Sequence, residues 1–326
     1  MSDEPYFHNI FNKEEFKNNY RLFKKSIYFF MWEQLLEGIR SEEKKALARS
    51  ISFVENEVDG YENFLSNLPK SNSIIIGITG PPGAGKSTLA NALIELVIQT
   101  NKKVGILCID PSSPFNYGAL LGDRIRMNQW YNNPNVYIRS LAARGSLGGL
   151  HPNIIEITEV MKSFGFDYVI IETVGVGQSE VEIAGLADVT VITLSPESGD
   201  DIQTMKAGIM EIADIFVVNK ADRPEANNFV ASLKAMIVHS SKENTPVIKT
   251  VASQNVGIDE LLENIISLRS KTDNSLQYRL YAEKVFRLIQ KHRMKDIDIR
   301  ELQQKIEDAT QNGNTNLFAV VRDYTA

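Results

Sequence analysis

A chain of 326 residues, 43% hydrophobic and 23% charged, has the make-up of a soluble globular protein and is too long for one minimal domain. Its formal net charge of −6 gives no electrostatic attraction to nucleic acid or anionic membrane, so neither is expected as a partner. The one cysteine, Cys108, excludes an intrachain disulfide, the acidic N-terminus is no secretory signal, and no uncharged apolar run approaches the ~18 residues of a membrane span, so a cytoplasmic location is expected.

From about Glu14 to Leu68 the apolar residues recur at helical spacing, with Leu35, Ile39, Leu47, Ile51 and Val54 on one side and charges on the other. The segment Tyr28-Phe29-Phe30-Met31-Trp32 reads either as a helix packed on the core or as a surface for a partner. Residues 1–72 are therefore expected to form an N-terminal helical region.

Between 73 and 270, strands alternate with helices. Short apolar runs predict strands over Ile74–Ile78, Val104–Ile109, Val136–Ile138, Tyr168–Glu172, Val189–Leu194, Ile215–Asn219 and Val247–Thr250. Helical patterns separate them over Leu89–Ile98, Asn153–Phe164, Ile202–Glu211 and Asn228–Val238. This is the signature of an α/β fold with a doubly wound, mostly parallel sheet, which binds ligands outside the carboxyl ends of its strands.

The first strand runs into Gly80-Pro81-Pro82-Gly83-Ala84-Gly85-Lys86-Ser87-Thr88, which matches the phosphate-binding pattern G-x-x-x-x-G-K-[ST] at every fixed position. Glycines let backbone N–H groups approach a phosphate, and the helix that follows adds the positive end of its dipole. Lys86 is suited to the β- and γ-phosphates and the Ser87 hydroxyl to Mg²⁺.

Asp110 ends the second strand and Glu172 the fourth, where carboxylates beside a phosphate loop can organise Mg²⁺ and the attacking water. Asp123 is a further candidate metal ligand or water-positioning group. Gln178 is a candidate for positioning the water, and Lys206 and Arg144 are candidates for stabilising transition-state charge.

Asn219-Lys220-Ala221-Asp222 closes the sixth apolar run as an N-K-x-D element. An aspartate there accepts from guanine N1–H and N2, and against adenine it would be left unpaired, which makes it a discriminating reader. Val251-Ala252-Ser253, after the last strand, is placed to touch the far side of the base through backbone groups. The cofactors expected are GTP or GDP and Mg²⁺.

Beyond 271, two charged helical patterns, Tyr278 to His292 and Asp298 to Thr310, precede a short apolar segment, Leu317–Val321.

With these motifs in place, the chain resembles the MeaB/ArgK-type GTPases, the methylmalonyl-CoA mutase-associated group whose animal members are called MMAA. The resemblance runs from about Ala46-Leu47-Ala48-Arg49 to Gly257-Ile258. It is carried by the phosphate loop, Ile109 to Pro114, Leu121 to Met127, Arg144 to Leu150, Glu172 to Glu180 and Asn219 to Asp222. Glutamate at position 172, where most GTPases have aspartate, marks the wider group that also holds the nickel and cobalamin metallochaperones. Glu172–Glu180 resembles the second switch, and Ser195 through Gly208 a third that couples nucleotide state to the partner enzyme. The resemblance implies a GTPase that is slow alone and stimulated by its partner, an adenosylcobalamin-dependent mutase whose cofactor loading it gates and which it protects. It also implies a homodimer formed through a C-terminal helical arm, residues 271–326. The chain departs from the family most after about Lys271, and it has Val251-Ala252-Ser253 where some relatives carry a Ser-Ala-Arg-like segment.

Three rival readings remain at this point: a nickel or cobalt metallochaperone GTPase, a P-loop kinase of the ArgK type, and a scaffold that uses GTP only structurally. Four scattered histidines and Cys108 supply no visible ligand set for the first, and N-K-x-D argues against the second.

Overall fold

Predominantly apolar runs form seven strands, because a strand buried on both faces has little place for a solvated side chain. They are β1 Ile74–Thr79, β2 Val104–Asp110, β3 Val136–Ala142, β4 Tyr168–Glu172, β5 Val189–Leu194, β6 Ile215–Val218 and β7 Val247–Lys249. The computed structural model describes residues 13–110, 127–142, 150–173, 179–198, 207–238, 243–271, 274–311 and 316–325. All seven expected strands are present. β3 runs four residues past its predicted end: Arg139 and Ser140 break the apolar pattern, yet their backbone continues the ladder with β2 as far as Asp110–Ala142.

The sheet is wholly parallel, in the order β3-β2-β4-β1-β5-β6-β7. The chain leaves β1 toward β2 and leaves β4 toward β5. The helix after β1 packs on one face of the sheet and the helix Ser179–Ala184 after β4 on the other, so the loops at the carboxyl ends of these neighbouring strands part to opposite faces, and the crevice between them is where this fold class takes a ligand.

Alternate residues of each strand feed opposite cores. Ile75, Leu107, Val169 and Ile171 meet the N-terminal helices α1 Lys13–Arg40, α2 Lys44–Glu55 and α3 Tyr61–Ser66. Ile76, Ile78, Ile106 and Ile170 face α4 Lys86–Gln99 on the other side. Leu47, Ile51 and Val54, one turn apart on α2, are fully buried, and each such aliphatic side chain contributes about 1.5–3 kcal/mol by leaving water. The helical stretch expected over 14–68 is broken twice. The first break comes where Glu42 turns left-handed (φ 56°) and Glu43 N–H reaches back to Gly38 O. The second comes at Asp59, whose carbonyl accepts from Trp32 Nε1 at 2.8 Å. The aromatic segment divides: Trp32 is core, stacked near Phe64, while Phe29 and Phe30 are exposed.

The remaining helices of this part, among the described residues, are α5 Ile154–Ser163, α6 Ser179–Ala184, α7 Ala207–Ile212, α8 Ala226–Val238 and α9 Ile258–Lys271. The first part of the helix expected over 202–211 lies outside the described residues. No described helix is long and apolar enough to cross a membrane. By its internal contacts the chain divides into two compact units, Met1–Thr272 and Asp273–Ala326. The second consists of α10 Asn274–Arg293, α11 Ile299–Gln311 and α12 Leu317–Thr325. Within it Lys305 lies over the Tyr324 ring, whose hydroxyl hydrogen bond pushes the Lys305 ammonium pKa upward, while Tyr278, Val285, Phe286 and Ile289 of α10 stay exposed.

Candidate active site

The loop between β1 and α4 takes its path from glycines in conformations that side chains resist. Gly80 has φ 140°, and a Cβ there would sit 2.0 Å from Thr193 O on the neighbouring strand. Gly85 has φ 91°, and its Cβ would meet Asn219 Nδ2 at 2.3 Å. Gly85 is also the N-cap of α4 and makes no side-chain cap, so the first N–H groups of the helix remain available to an anion. Lys86 is buried (7% exposed), and its Nζ donates to Gly80 O at 2.8 Å and Pro81 O at 3.1 Å. The ammonium thus lies over the loop, on carbonyls it can exchange for phosphate oxygens.

Ser87 and Glu172 converge beside this loop. Ser87 Oγ donates to Glu172 Oε1 at 2.5 Å, and the glutamate is buried at the tip of β4. The β1–β4 pairing sets Glu172 opposite Ile78, two residues short of Gly80. Thr173 Oγ1 donates to Thr79 Oγ1 at 2.7 Å and fastens the two strand ends together. A hydroxyl and a carboxylate, both hard oxygen donors, fit Mg²⁺, which binds through one or two carboxylates, substrate phosphates and retained waters. No group of three or more His, Cys, Asp or Glu among the described residues is arranged to hold a metal, and Mg²⁺ needs no such cage. Asp110 ends β2 with its backbone paired to Ala142 on β3, on the same edge of the sheet.

The other wall is built on Asn219, which is buried (3% exposed). Its Nδ2 donates to Ala84 O at 3.0 Å, while its Oδ1 accepts from Thr250 Oγ1 and from Ala252 N–H, both at 3.1 Å. One amide therefore joins the phosphate loop to the loop after β7. Ala221 N–H adds a bond to Thr250 O at 3.0 Å. Asp222 and Ser253 are exposed and Val251 is half-buried, so the rim of this wall is open. Replacing Asn219 with alanine leaves the Thr250 hydroxyl, the Ala252 N–H and the Ala84 carbonyl without this partner. A loss of about 1–3 kcal/mol in folding stability is expected, read from urea unfolding, together with weaker nucleotide binding.

Comparison with known proteins fits this geometry. The family model described as methylmalonyl Co-A mutase-associated GTPase MeaB matches residues 47–308. The chain belongs to the MeaB family of GTPases. It is 45% identical to a protein of Pyrococcus abyssi over 253 residues, 75% of this chain and 78% of that one. It is 34% identical to the GTPase ArgK of Escherichia coli over 248 residues, 72% of this chain and 75% of that one. A mouse mitochondrial protein named methylmalonic aciduria type A homolog is 36% identical over 211 residues, covering 63% of this chain and 51% of its own length. The crystal structure of an LAO/AO transport system kinase shares the fold, with a TM-score of 0.61 and 22% identity over 90% of this chain and 96% of that one.

In this MeaB-family GTPase the phosphate loop, Ser87, Glu172, Asn219 and Ala252 are joined by the hydrogen bonds described above. Asp123, Arg144, Gln178 and Lys206 lie outside the described residues, as does the side chain of Asp110. Thr250 escaped the sequence reading, though it carried a faint signal, a polar residue ending an apolar strand two positions before Ala252. Glu197 lies in the Ser195–Gly208 segment that resembles a third switch, but nothing in the spacing of 197 and 220 marks it as the neighbour of Lys220.

Proposed function

We propose that this MeaB-family GTPase gates adenosylcobalamin loading of, and protects, a cobalamin-dependent acyl-CoA mutase, with methylmalonyl-CoA mutase as the client. The family match over residues 47–308 is the observation that carries this reading. The mouse relative named for methylmalonic aciduria supports it.

In the proposed mechanism the loop from Gly80 to Thr88 cradles the phosphates through its N–H groups, and Lys86 moves its charge from the loop carbonyls to the β- and γ-oxygens. Ser87 and Glu172, with Asp110 and Asp123, would hold Mg²⁺, which when bound neutralises charge on those oxygens. Glu172, longer than the aspartate common at this position and already bonded to the Ser87 hydroxyl, would help hold the ion through that hydroxyl or a water. Asn219 holds the base wall to the phosphate loop, Asp222 reads guanine N1–H and N2, and Lys220 and the backbone of Val251, Ala252 and Ser253 flank the base. Lys206 is assigned transition-state charge. Catalysis of this kind is positioning plus charge stabilisation, so turnover is slow until a partner completes the site.

Residues 1–72 and 271–326 are proposed as helical additions to a GTPase core over 73–270. The exposed Tyr278, Val285, Phe286 and Ile289 of α10 support a second copy of the chain as the partner of the C-terminal arm.

The deciding experiment mixes the purified protein, GTP and Mg²⁺ with the methylmalonyl-CoA mutase of the same organism and follows phosphate release. Acceleration of about ten-fold or more is expected, equivalent to lowering the hydrolysis barrier by about 1.4 kcal/mol or more. A rate unchanged at saturating mutase overturns the client assignment.

A further inference from the structure

The turn Pro196–Ser198 follows β5 and carries Glu197. Lys220 Nζ donates to Glu197 Oε2 at 2.6 Å, and Arg223 Nε lies 3.3 Å from Oε1. One carboxylate from the β5 loop therefore bridges the cations on either side of Ala221-Asp222, the end of the N-K-x-D element. Lys220 itself has a left-handed backbone, φ 56°, which a lysine rarely adopts. The turn is closed locally by Arg223 N–H to Lys220 O at 3.1 Å and toward β7 by Ala221 N–H to Thr250 O at 3.0 Å. Its third side is held by Glu197.

We propose that Glu197 is a positioning residue for guanine recognition: by bridging Lys220 and Arg223 it fixes the turn that presents Asp222, and so sets affinity for the guanosine half of the nucleotide. The inference rests on the assignment of Asn219–Asp222 as the base reader. An isolated exposed ion pair contributes little, because water screens it and two long side chains must be ordered. This one differs in what it orders. Two cations of a single strained turn share one carboxylate, so binding meets a turn already in its bound shape, and preorganisation of that kind appears as affinity. The Glu197 carboxyl is held below the ordinary carboxylate range, first by the Lys220 hydrogen bond and its charge, with Arg223 adding to it. The bridge therefore persists throughout the neutral range and is lost only as pH falls through that lowered value.

The test is calorimetry of GDP with Mg²⁺ on the full chain, comparing wild type, E197Q, E197K, K220A and the E197Q/K220A pair. E197Q should weaken GDP about two- to five-fold, the range of exposed ion pairs, and E197K, which sets a third cation against two, roughly ten-fold. The pair should be non-additive, the loss should fade in 1 M salt, and KM for GTP should rise with kcat unchanged. Tripolyphosphate, which engages only the phosphate loop, should bind all variants alike. Wild-type GDP affinity in E197K, additivity with K220A, or an equal loss for tripolyphosphate overturns the proposal. Thermal melts of E197Q identify a variant that fails through folding. D222A run alongside keeps the two assignments apart: undiminished GDP binding in D222A removes the base reader, whereas weakened D222A beside unaffected E197K removes only the role of Glu197.

Discussion

Lys86→Ala is expected to lower kcat for GTP hydrolysis by about 10²–10³-fold, the loss seen when one preorganised charge or donor is removed from a transition state. The side chain is buried, and its ammonium sits 2.8 and 3.1 Å from the carbonyls of Gly80 and Pro81, the position from which the proposed mechanism moves it to the phosphate oxygens. The Gly80 carbonyl is buried and loses this partner, so the variant should also lose about 1–3 kcal/mol of folding stability, and its hydrolysis is compared well below its own melting transition. Single-turnover hydrolysis with Mg²⁺ reads the effect, and a rate within ten-fold of wild type would contradict the role given to Lys86. The same variant separates a working GTPase from a scaffold: mutase protection that survives the loss of hydrolysis would assign GTP a structural part.

Asp222→Asn is expected to exchange guanine for xanthine. In the proposed role the carboxylate accepts two hydrogen bonds, from guanine N1–H and N2, whereas an amide turns one acceptor into a donor. Charge-assisted bonds are worth about 1.5–3 kcal/mol each, so GDP affinity should fall by about 10²- to 10⁴-fold. Xanthine carries a carbonyl where guanine has its amino group, and the new donor meets it. Asp222 is exposed, so the substitution should leave stability within about 0.5 kcal/mol. Binding of GDP and XDP measured side by side gives the result. Loss of both nucleotides, or retention of GDP, would place base recognition elsewhere.

Much of this was legible in the chain because the relevant signals are local. Most of the parallel strands announce themselves as short, predominantly apolar runs, and strand, glycine turn and helix lie consecutively from Ile74 to Gln99. The extra length of β3 was hidden because a polar pair, Arg139 and Ser140, can still be held by backbone pairing that leaves no trace in composition. The break after Arg40 was hidden for a related reason: Glu42 adopts a left-handed turn without a glycine to mark it, whereas Asp59-Gly60, with Gly60 at φ 92°, stands at the second break. At the site, the motif residues were readable one by one, but their wiring was not. That Asn219 touches Ala84, or Lys220 touches Glu197, depends on which strands become neighbours, and the order β3-β2-β4-β1-β5-β6-β7 is a property of the whole sheet.

The bond from Asn219 to Ala84 spans 135 residues of chain. A ribosome delivers the glycine loop long before the residues proposed to clasp the base, and the hydrogen bonds of Asn219 to Thr250 and Ala252 close only once those two have emerged. Nascent chains halted short of that point should therefore hold GDP poorly, and full-length chains should gain stability from it as RT ln(1 + [L]/Kd). Cellular guanine nucleotide would thus serve the newborn protein as a late folding ligand before it serves it as a substrate.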